Sequence, residues 1–253
     1  MKIDKELIDR LLKEGKSYKE IVKITGYNKN SVYVWCWKHY GKLEDKQKSR
    51  RQSIQLTECQ KEFLFGTLMG DGNLQLFNKN KTSVIGRTNH SIKQIQYCVY
   101  KQKLFDNLTY PVKETTKYLK STNKEYKQCY FCFKPNTELL PIYNLFYTKG
   151  KKDVPKDLSL LTPKALALWF MDDGTASGDC SVNIATCSFS LEGLLRLKKF
   201  LKDKYNLDIT IQKDFKLYFS SKSARKFFEI IKPYLIPEML YKFKYISADL
   251  KLR

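Results

Sequence analysis

Two stretches of this 253-residue chain share one unusual ending. LFGTLMGDG at residues 64–72 and LALWFMDDG at residues 166–174 each carry an apolar, helix-like run into aspartate followed by glycine, and Asp71 and Asp173 stand 102 positions apart. A match at that separation is an internal repeat, and about 100 residues per copy is a workable domain size. The segments after the two motifs agree with this. In the first copy, strand-like runs at 73–77 and 83–89 lead to an amphipathic helix at 91–108 and further strands at 112–118 and 126–134. In the second, a strand-like run at 180–187 leads to a helix at 190–205, strands at 207–213 and 216–221, and a closing helix at 223–233. The chain reads as two α+β halves, residues 57–155 and 156–253.

Both motifs place a carboxylate in the last helical turn, where the helix dipole carries about half a negative charge and repels it by roughly 0.3–1 kcal/mol. Something positive should sit there. Gly66 and Gly70, spaced i, i+4, form a small-residue stripe that lets another helix backbone come close. If the two motif helices pack side by side, their acidic ends meet. Asp71 and Asp173 would then offer hard oxygen ligands suited to Mg²⁺, or to Mn²⁺, which takes one or two protein carboxylates and completes its shell with water and phosphate oxygens. An acidic centre inside a basic protein is a phosphodiester-cleaving arrangement.

The chain is strongly basic: 47 Lys and Arg against 26 Asp and Glu, a formal charge of +21, spread along the whole length rather than held in a tail. With 42% hydrophobic and 14% aromatic residues, it should fold and bind a polyanion, nucleic acid before an anionic membrane surface. No run approaches the ~18 apolar residues of a membrane span, and the first residues lack the apolar core of a signal peptide. We therefore expect an unexported protein of a bacterial or phage-infected cytoplasm, or of an organelle matrix if organelle-encoded. The seven cysteines are odd in number and scattered, and Cys129 and Cys132 form a lone CxxC without the second pair a zinc site needs.

Both motifs resemble the nine-residue signature of the LAGLIDADG homing endonucleases, and the chain is similar to their single-chain, two-motif type. Within these it resembles the branch of the mitochondrial omega-intron endonuclease, which shares the Trp-Phe-Met-Asp-Asp-Gly form at residues 169–174; the likeness runs over about residues 57 to 245. The resemblance implies two pseudo-symmetric αββαββα halves meeting at the motif helices, with antiparallel sheets that form a DNA-binding saddle. It implies a monomeric, metal-dependent, site-specific double-strand DNA endonuclease acting on a long asymmetric target. The eighth motif residue, Asp71 and Asp173 here, would be catalytic and would hold metal; the backbone carbonyls of Gly70 and Asp172 would complete the metal sites. Basic residues near the metals match Lys152 and Lys242. An RNA maturase acting on its host intron RNA, or a transcription regulator on a degenerate form of the fold, is the alternative. One departure is plain: the second motif has Leu168 and Asp172 where the first has Gly66 and Gly70, so the helix interface should be asymmetric.

Alternate residues of a strand face opposite sides. Asn73 and Gln75, Arg87 and Asn89, Thr210 and Gln212, and Lys216 and Tyr218 fall on the polar sides of their strands, and these sides should face DNA.

The first 41 residues lie outside the repeat. Leu7, Ile8, Leu11 and Leu12 keep helical spacing before Gly15; Ser17 and Glu20 form a capping box ahead of Ile21, Val22 and Ile24; Gly26 turns the chain. A third helix over 30–39 should bury Val32, Trp35, Cys36 and His39 and expose Asn30, Tyr33, Val34 and Lys38. This is a helix-turn-helix pattern, joined to the halves by a basic linker at 42–56; a small bundle for protein contact is the other reading.

Overall fold

The structure is a computed structural model that describes residues 4–14, 16, 18–40, 53–77, 82–121, 123–243 and 245. The chain divides into two compact units, residues 1–52 and 53–253, each with a core of its own.

The smaller unit holds α1 (Lys5–Lys13), α2 (Tyr18–Thr25) and α3 (Lys29–Tyr40). Asp4 caps α1 by accepting from the Leu7 amide. Gly26, at φ 68°, turns the chain between α2 and α3 in the left-handed region that glycine enters without strain. Ile8, Leu11, Ile21, Val32 and Cys36 form the core. Two sequence expectations fail at its rim. Ile24 is 55% exposed because it lies on the far side of Ile21 from Tyr18 and Val22, which pack inward. His39 is exposed, one turn beyond the last buried residue of α3, and rests on the Trp35 ring at 4.6 Å. Gly15, Ser17 and residues 42–52 of the expected linker lie outside the described residues.

The larger unit runs αββαββα twice. The first pass is α4 (Glu58–Met69), β1 (Asn73–Leu76), β2 (Val84–Ser91), α5 (Ile95–Phe105), β3 (Lys113–Leu119), β4 (Lys124–Asn136) and α6 (Leu140–Phe146). A short hairpin, β5 (Tyr147–Thr148) with β6 (Lys151–Lys152), leads to the second pass. That is α7 (Pro163–Asp173), β7 (Gly174–Ala176), β8 (Val182–Ile184), α8 (Leu191–Tyr205), β9 (Ile209–Ile211), β10 (Leu217–Phe219) and α9 (Ser221–Ile231). The two four-stranded antiparallel sheets have the same order, β1-β2-β4-β3 and β7-β8-β10-β9. Residues 53–56, read from sequence as the end of a linker, belong to this unit: Leu56 is buried, and the Ile54 carbonyl accepts from the Asn136 amide group.

The two motif helices start from strong caps. Thr57 and Gln60 satisfy each other's backbone amides in a capping box, and Thr162 caps α7 with Pro163 in its first turn. From there α4 and α7 run together through the centre of the unit, and every residue of α7 from Ala165 to Met171 is buried. The glycine stripe does what its spacing predicted. A Cβ on Gly66 would stand 2.3 Å from the Ala165 carbonyl oxygen, and one on Gly70 would stand 2.5 Å from the Asp172 Cβ. The asymmetry is equally visible, because the side chain of Asp172 fills the space that the missing side chain of Gly70 leaves open. Three elements were not located by the hydrophobic pattern, although the αββαββα resemblance implied the first two: α6, β7 and the β5–β6 hairpin. All are short, and β5, β6 and β7 have three residues or fewer, too few to show a period.

Candidate active site

The C-terminal ends of α4 and α7 meet, and their orphan carbonyls receive the positive charge that the dipole demands. Lys152, carried in by the β5–β6 hairpin, donates to the carbonyls of Leu68 at 3.0 Å, Gly70 at 3.1 Å and Gly72 at 3.0 Å. All three ammonium protons are thereby used. Lys242, from the 3₁₀ segment Pro237–Phe243, donates to the Asp172 carbonyl at 2.7 Å, the matching place on the other helix. Burial pushes both lysines below their ordinary range, against the neighbouring aspartates that hold them up.

Asp172 itself turns inward. Its carboxylate sits 2.8 and 2.9 Å from the Lys101 ammonium, accepts the Tyr97 hydroxyl at 2.7 Å, and accepts the Asp71 backbone amide at 3.2 Å. Neither the Asp172 nor the Lys101 side chain is exposed. A carboxylate from the second half is thus tied to α5 of the first half, next to the chain that carries Asp71. Burial, and then the charge of Asp172, raise the Tyr97 hydroxyl well above its usual value, so it stays a donor.

Asp71 and Asp173 differ. Asp71 keeps 39% of its side chain exposed, and its Oδ2 lies 3.4 Å from His90 Nδ1. The surrounding protein opposes its ionisation, yet the His90 contact and the charges of Lys101, His90 and Lys242 hold its carboxyl below the ordinary range. Asp173 is pushed up to about 7, first by burial and then by the charges of Asp71 and Asp172, with Lys152 and Lys242 only partly offsetting them. Ligand atoms of Asp71, His90 and Asp172 lie within 4.8 Å of one another. Among these, the Asp172 carboxylate is already satisfied by Lys101 and Tyr97. Asp71 and Asp173 carry the other two carboxylates at these helix ends, and Asp173, raised first by burial and then by the charges of Asp71 and Asp172, sits in a place short of positive charge. Hard, crowded carboxylate oxygens fit Mg²⁺ or Mn²⁺.

Sequence reasoning thus brought Asp71, Asp173, Gly70, Asp172, Lys152 and Lys242 to one spot. It missed His90, Lys101 and Tyr97. The signals were present: His90 holds an inward position on β2, in step with Val84, Gly86 and Thr88, and Lys101 lies on the buried stripe of α5 with Cys98 and Phe105. A charged residue on an apolar face needs a buried partner.

The sheet faces keep the expected alternation. Asn73, Gln75, Arg87 and Asn89 are exposed on one face of the first sheet and line one open cavity of about 580 Å³. The Arg87 guanidinium lies 3.8 Å over the Tyr130 ring, and its Nε donates to Asn89 Oδ1 at 2.7 Å, so both are held in place. In the second sheet Thr210 stands opposite Tyr218, Gln212 is exposed, and the Lys216 ammonium is paired with Asp214 at 2.6 Å. Asn30, Tyr33 and Lys38 are exposed on α3 of the smaller unit.

Paired αββαββα halves whose central helices bring two terminal aspartates together, with one lysine supplied by the β5–β6 hairpin and another by the 3₁₀ segment, are the arrangement of a single-chain endonuclease. The family model of the LAGLIDADG DNA endonucleases matches residues 61–227. DNA endonuclease I-ChuI of Chlamydomonas applanata is 35% identical over 216 residues, 75% of this chain and 96% of that protein. Protein RecA of Mycolicibacterium flavescens is 32% identical over 207 residues, which are 74% of this chain and 47% of that relative, so the chain spans about half of its length. The solved structure of the homing endonuclease I-WcaI bound to its DNA recognition sequence shares the fold, with a TM-score of 0.70 and 24% identity over 79% of this chain and 92% of that one. The chain belongs to the LAGLIDADG DNA endonuclease family.

Proposed function

We propose that this chain is a site-specific endonuclease that hydrolyses both strands of a long, asymmetric DNA duplex with Mg²⁺ or Mn²⁺. The observation that carries the reading is the meeting of Asp71 and Asp173 at the ends of the two central helices, in a chain whose sheets each keep a polar face. The two carboxylates would hold the cations, with the free lone pairs of the Gly70 and Asp172 carbonyls, whose other contacts are to Lys152 and Lys242, as further ligands. Bound there, a divalent cation supplies charge neutralisation at the scissile phosphate and acidifies water. Lys152 holds the end of α4 rigid, so that Asp71 is fixed in direction. Among the described residues Lys242 makes one hydrogen bond, to the Asp172 carbonyl, which leaves donors for phosphate or for protonating the leaving oxygen.

On the sheets, Asn73, Gln75, Arg87, Asn89, Thr210, Gln212 and Tyr218 would read base edges, and Lys216 would position phosphate. Two halves with different side chains suit a target without symmetry, read by one chain acting as a monomer. No described helix is long and apolar enough to cross a membrane. The test is incubation with a randomised duplex library and Mg²⁺, with the cut ends sequenced. One recurrent sequence cut on both strands is expected. Absence of cutting, with tighter binding to RNA than to any selected duplex, would replace the endonuclease by the maturase reading.

A further inference from the structure

The family match begins at residue 61, so α1, α2 and α3 are not accounted for by the endonuclease halves. Their chemistry is not that of a structural appendage. Val32 and Cys36 fix the buried side of α3, and helical spacing then puts Asn30, Val34 and Lys38 on the opposite side, flanked by Ser31 and Tyr33. Tyr33 is 58% and Val34 is 48% exposed, on a helix that carries Lys29, Lys38 and no acidic residue. Among the described residues of the unit, the acidic ones are elsewhere: Asp4, Glu6, Asp9 and Glu14 on α1 and its ends, and Glu20 on α2. One helix face is therefore acid-free and mixes amide, apolar, aromatic and ammonium groups. These are the groups a major groove rewards: an Asn amide pairs with adenine N6 and N7, an apolar side chain meets the thymine methyl, and lysine meets guanine or phosphate.

The local structure presents that face. Gly26 sets the turn from α2, and the Asp4 amide donates to the Tyr27 hydroxyl at 3.1 Å, which ties the turn to the start of α1. Asn28 Oδ1 accepts the amides of Asn30 and Ser31, so the first turn of α3 is capped and Asn30 stands in it. Residues early in a recognition helix are the ones that reach base edges in the helix-turn-helix mode.

We propose that α3 is the recognition helix of a second DNA-reading module, which takes a stretch of duplex separate from the one the two sheets read. Its occupant is the major groove of double-stranded DNA, favoured by the acid-free face. Residues 41–52 connect the units and, fully extended, span at most about 40 Å, or about 12 base pairs of duplex. The second contact is then effectively intramolecular and raises affinity by about 10²- to 10⁴-fold over either contact alone.

The experiment uses the full chain without divalent metal, so that it reads binding and not cleavage. Duplexes are selected by affinity from a random pool and then footprinted. Two protected blocks within about 12 base pairs of each other are expected. The combined variant Asn30→Ala, Tyr33→Ala, Lys38→Ala, altered only at exposed positions, should lose one block and bind about 100-fold more weakly. The single variant Val34→Glu, which places a carboxylate against the groove, should do the same with its helical signal intact. On duplexes whose second block is scrambled, variants and parent should bind alike. A single block for the parent chain, unchanged footprints in both variants, or equal losses on scrambled duplexes each overturn the proposal. A chain that shows both blocks but never cuts leaves this proposal standing and removes the endonuclease reading, so the two fail separately.

Discussion

The carboxylate of Asp172 lies 2.8 Å from the ammonium of Lys101, and neither side chain reaches solvent. Two adjacent aspartates, Asp172 and Asp173, thus differ: Asp172 seals the joint between the halves, and Asp173 is the one proposed for the reaction. A buried pair of this kind is costly to break, because the survivor is left as an uncompensated charge.

Lys101→Met should therefore lower the stability of the chain by about 3–5 kcal/mol, which for a unit of this size is a fall of about 10 °C in the melting midpoint. The double variant Lys101→Met, Asp172→Asn removes the stranded charge and should recover a good part of the loss. Thermal melts of the three proteins check this. Equal melting of the single and double variants would mean that the Asp172 charge is not stranded when Lys101 is lost, its bonds to Tyr97 and the Asp71 amide being enough.

Asp71→Asn or Asp173→Asn should abolish double-strand cleavage and leave affinity for the duplex almost unchanged, since an amide keeps the shape and loses the charge that holds a divalent cation. Binding and cleavage measured side by side decide it. Normal cutting by both variants would remove them from the active site. Lys242→Ala should slow cleavage more than it weakens binding, whereas Lys152→Ala should also lower the melting midpoint, because three carbonyls at the end of α4 lose their donor.

The parts that could be read from sequence are those that repeat or keep a period. The two motifs gave the halves; the Gly66 and Gly70 stripe gave the close helix pair; period two gave Arg87 and Asn89 on the open face of β2. The features that escaped depend on contacts between distant segments. Nothing local to Asp172 says that its side chain will turn towards Lys101 and Tyr97 while its carbonyl meets Lys242. The inward place of Asp172 comes from the missing side chain of Gly70, one helix away. His90 escaped for the same reason, since its strand position shows that it is buried but not that Asp71 ends beside it.

Asp173 gives the metal-free protein an unusual pH dependence. Its carboxyl titrates at about 7 in the folded chain against an ordinary 3.8. Below 3.8 both folded and unfolded forms are protonated; between 3.8 and about 7 the folded form holds a proton that the unfolded form has lost, so this group makes stability fall as pH rises. Above about 7 the loss is complete. A divalent cation held there would take the place of the proton, so added Mg²⁺ should restore stability most at the alkaline end, and Mg²⁺ affinity should rise with pH up to about 7. Melts of the parent and of Asp173→Asn across this range test it, because the variant should lack both effects. Parallel curves would show that Asp173 is not the group responsible.

Asp71 and Asp173 differ in what stands beside them to orient them. His90 Nδ1 faces Asp71, while its Nε2 is 3.3 Å from Thr88 Oγ1, so the ring is held at both nitrogens. The counterpart in the second half can be found by register. Asn73 pairs with Arg87 and the equivalent Thr175 pairs with Asn183, so Arg87 matches Asn183 and His90, three residues on, matches Thr186. Thr186 is buried and its hydroxyl donates to the Phe215 carbonyl, so Asp173 has no imidazole at the matching place. A group that orients one aspartate and not the other should act on one strand. His90→Ala should slow cleavage of the strand cut at Asp71 by about ten-fold or more, within the range that misplacing a reacting group produces, and leave the other strand near its parent rate. On a supercoiled plasmid target this appears as accumulation of the nicked circle before the linear product. His90→Gln, which keeps a polar contact to Asp71, should recover part of the rate. If both strands slow together and the melting midpoint falls with them, His90 serves the fold of the first half and not the aim of Asp71.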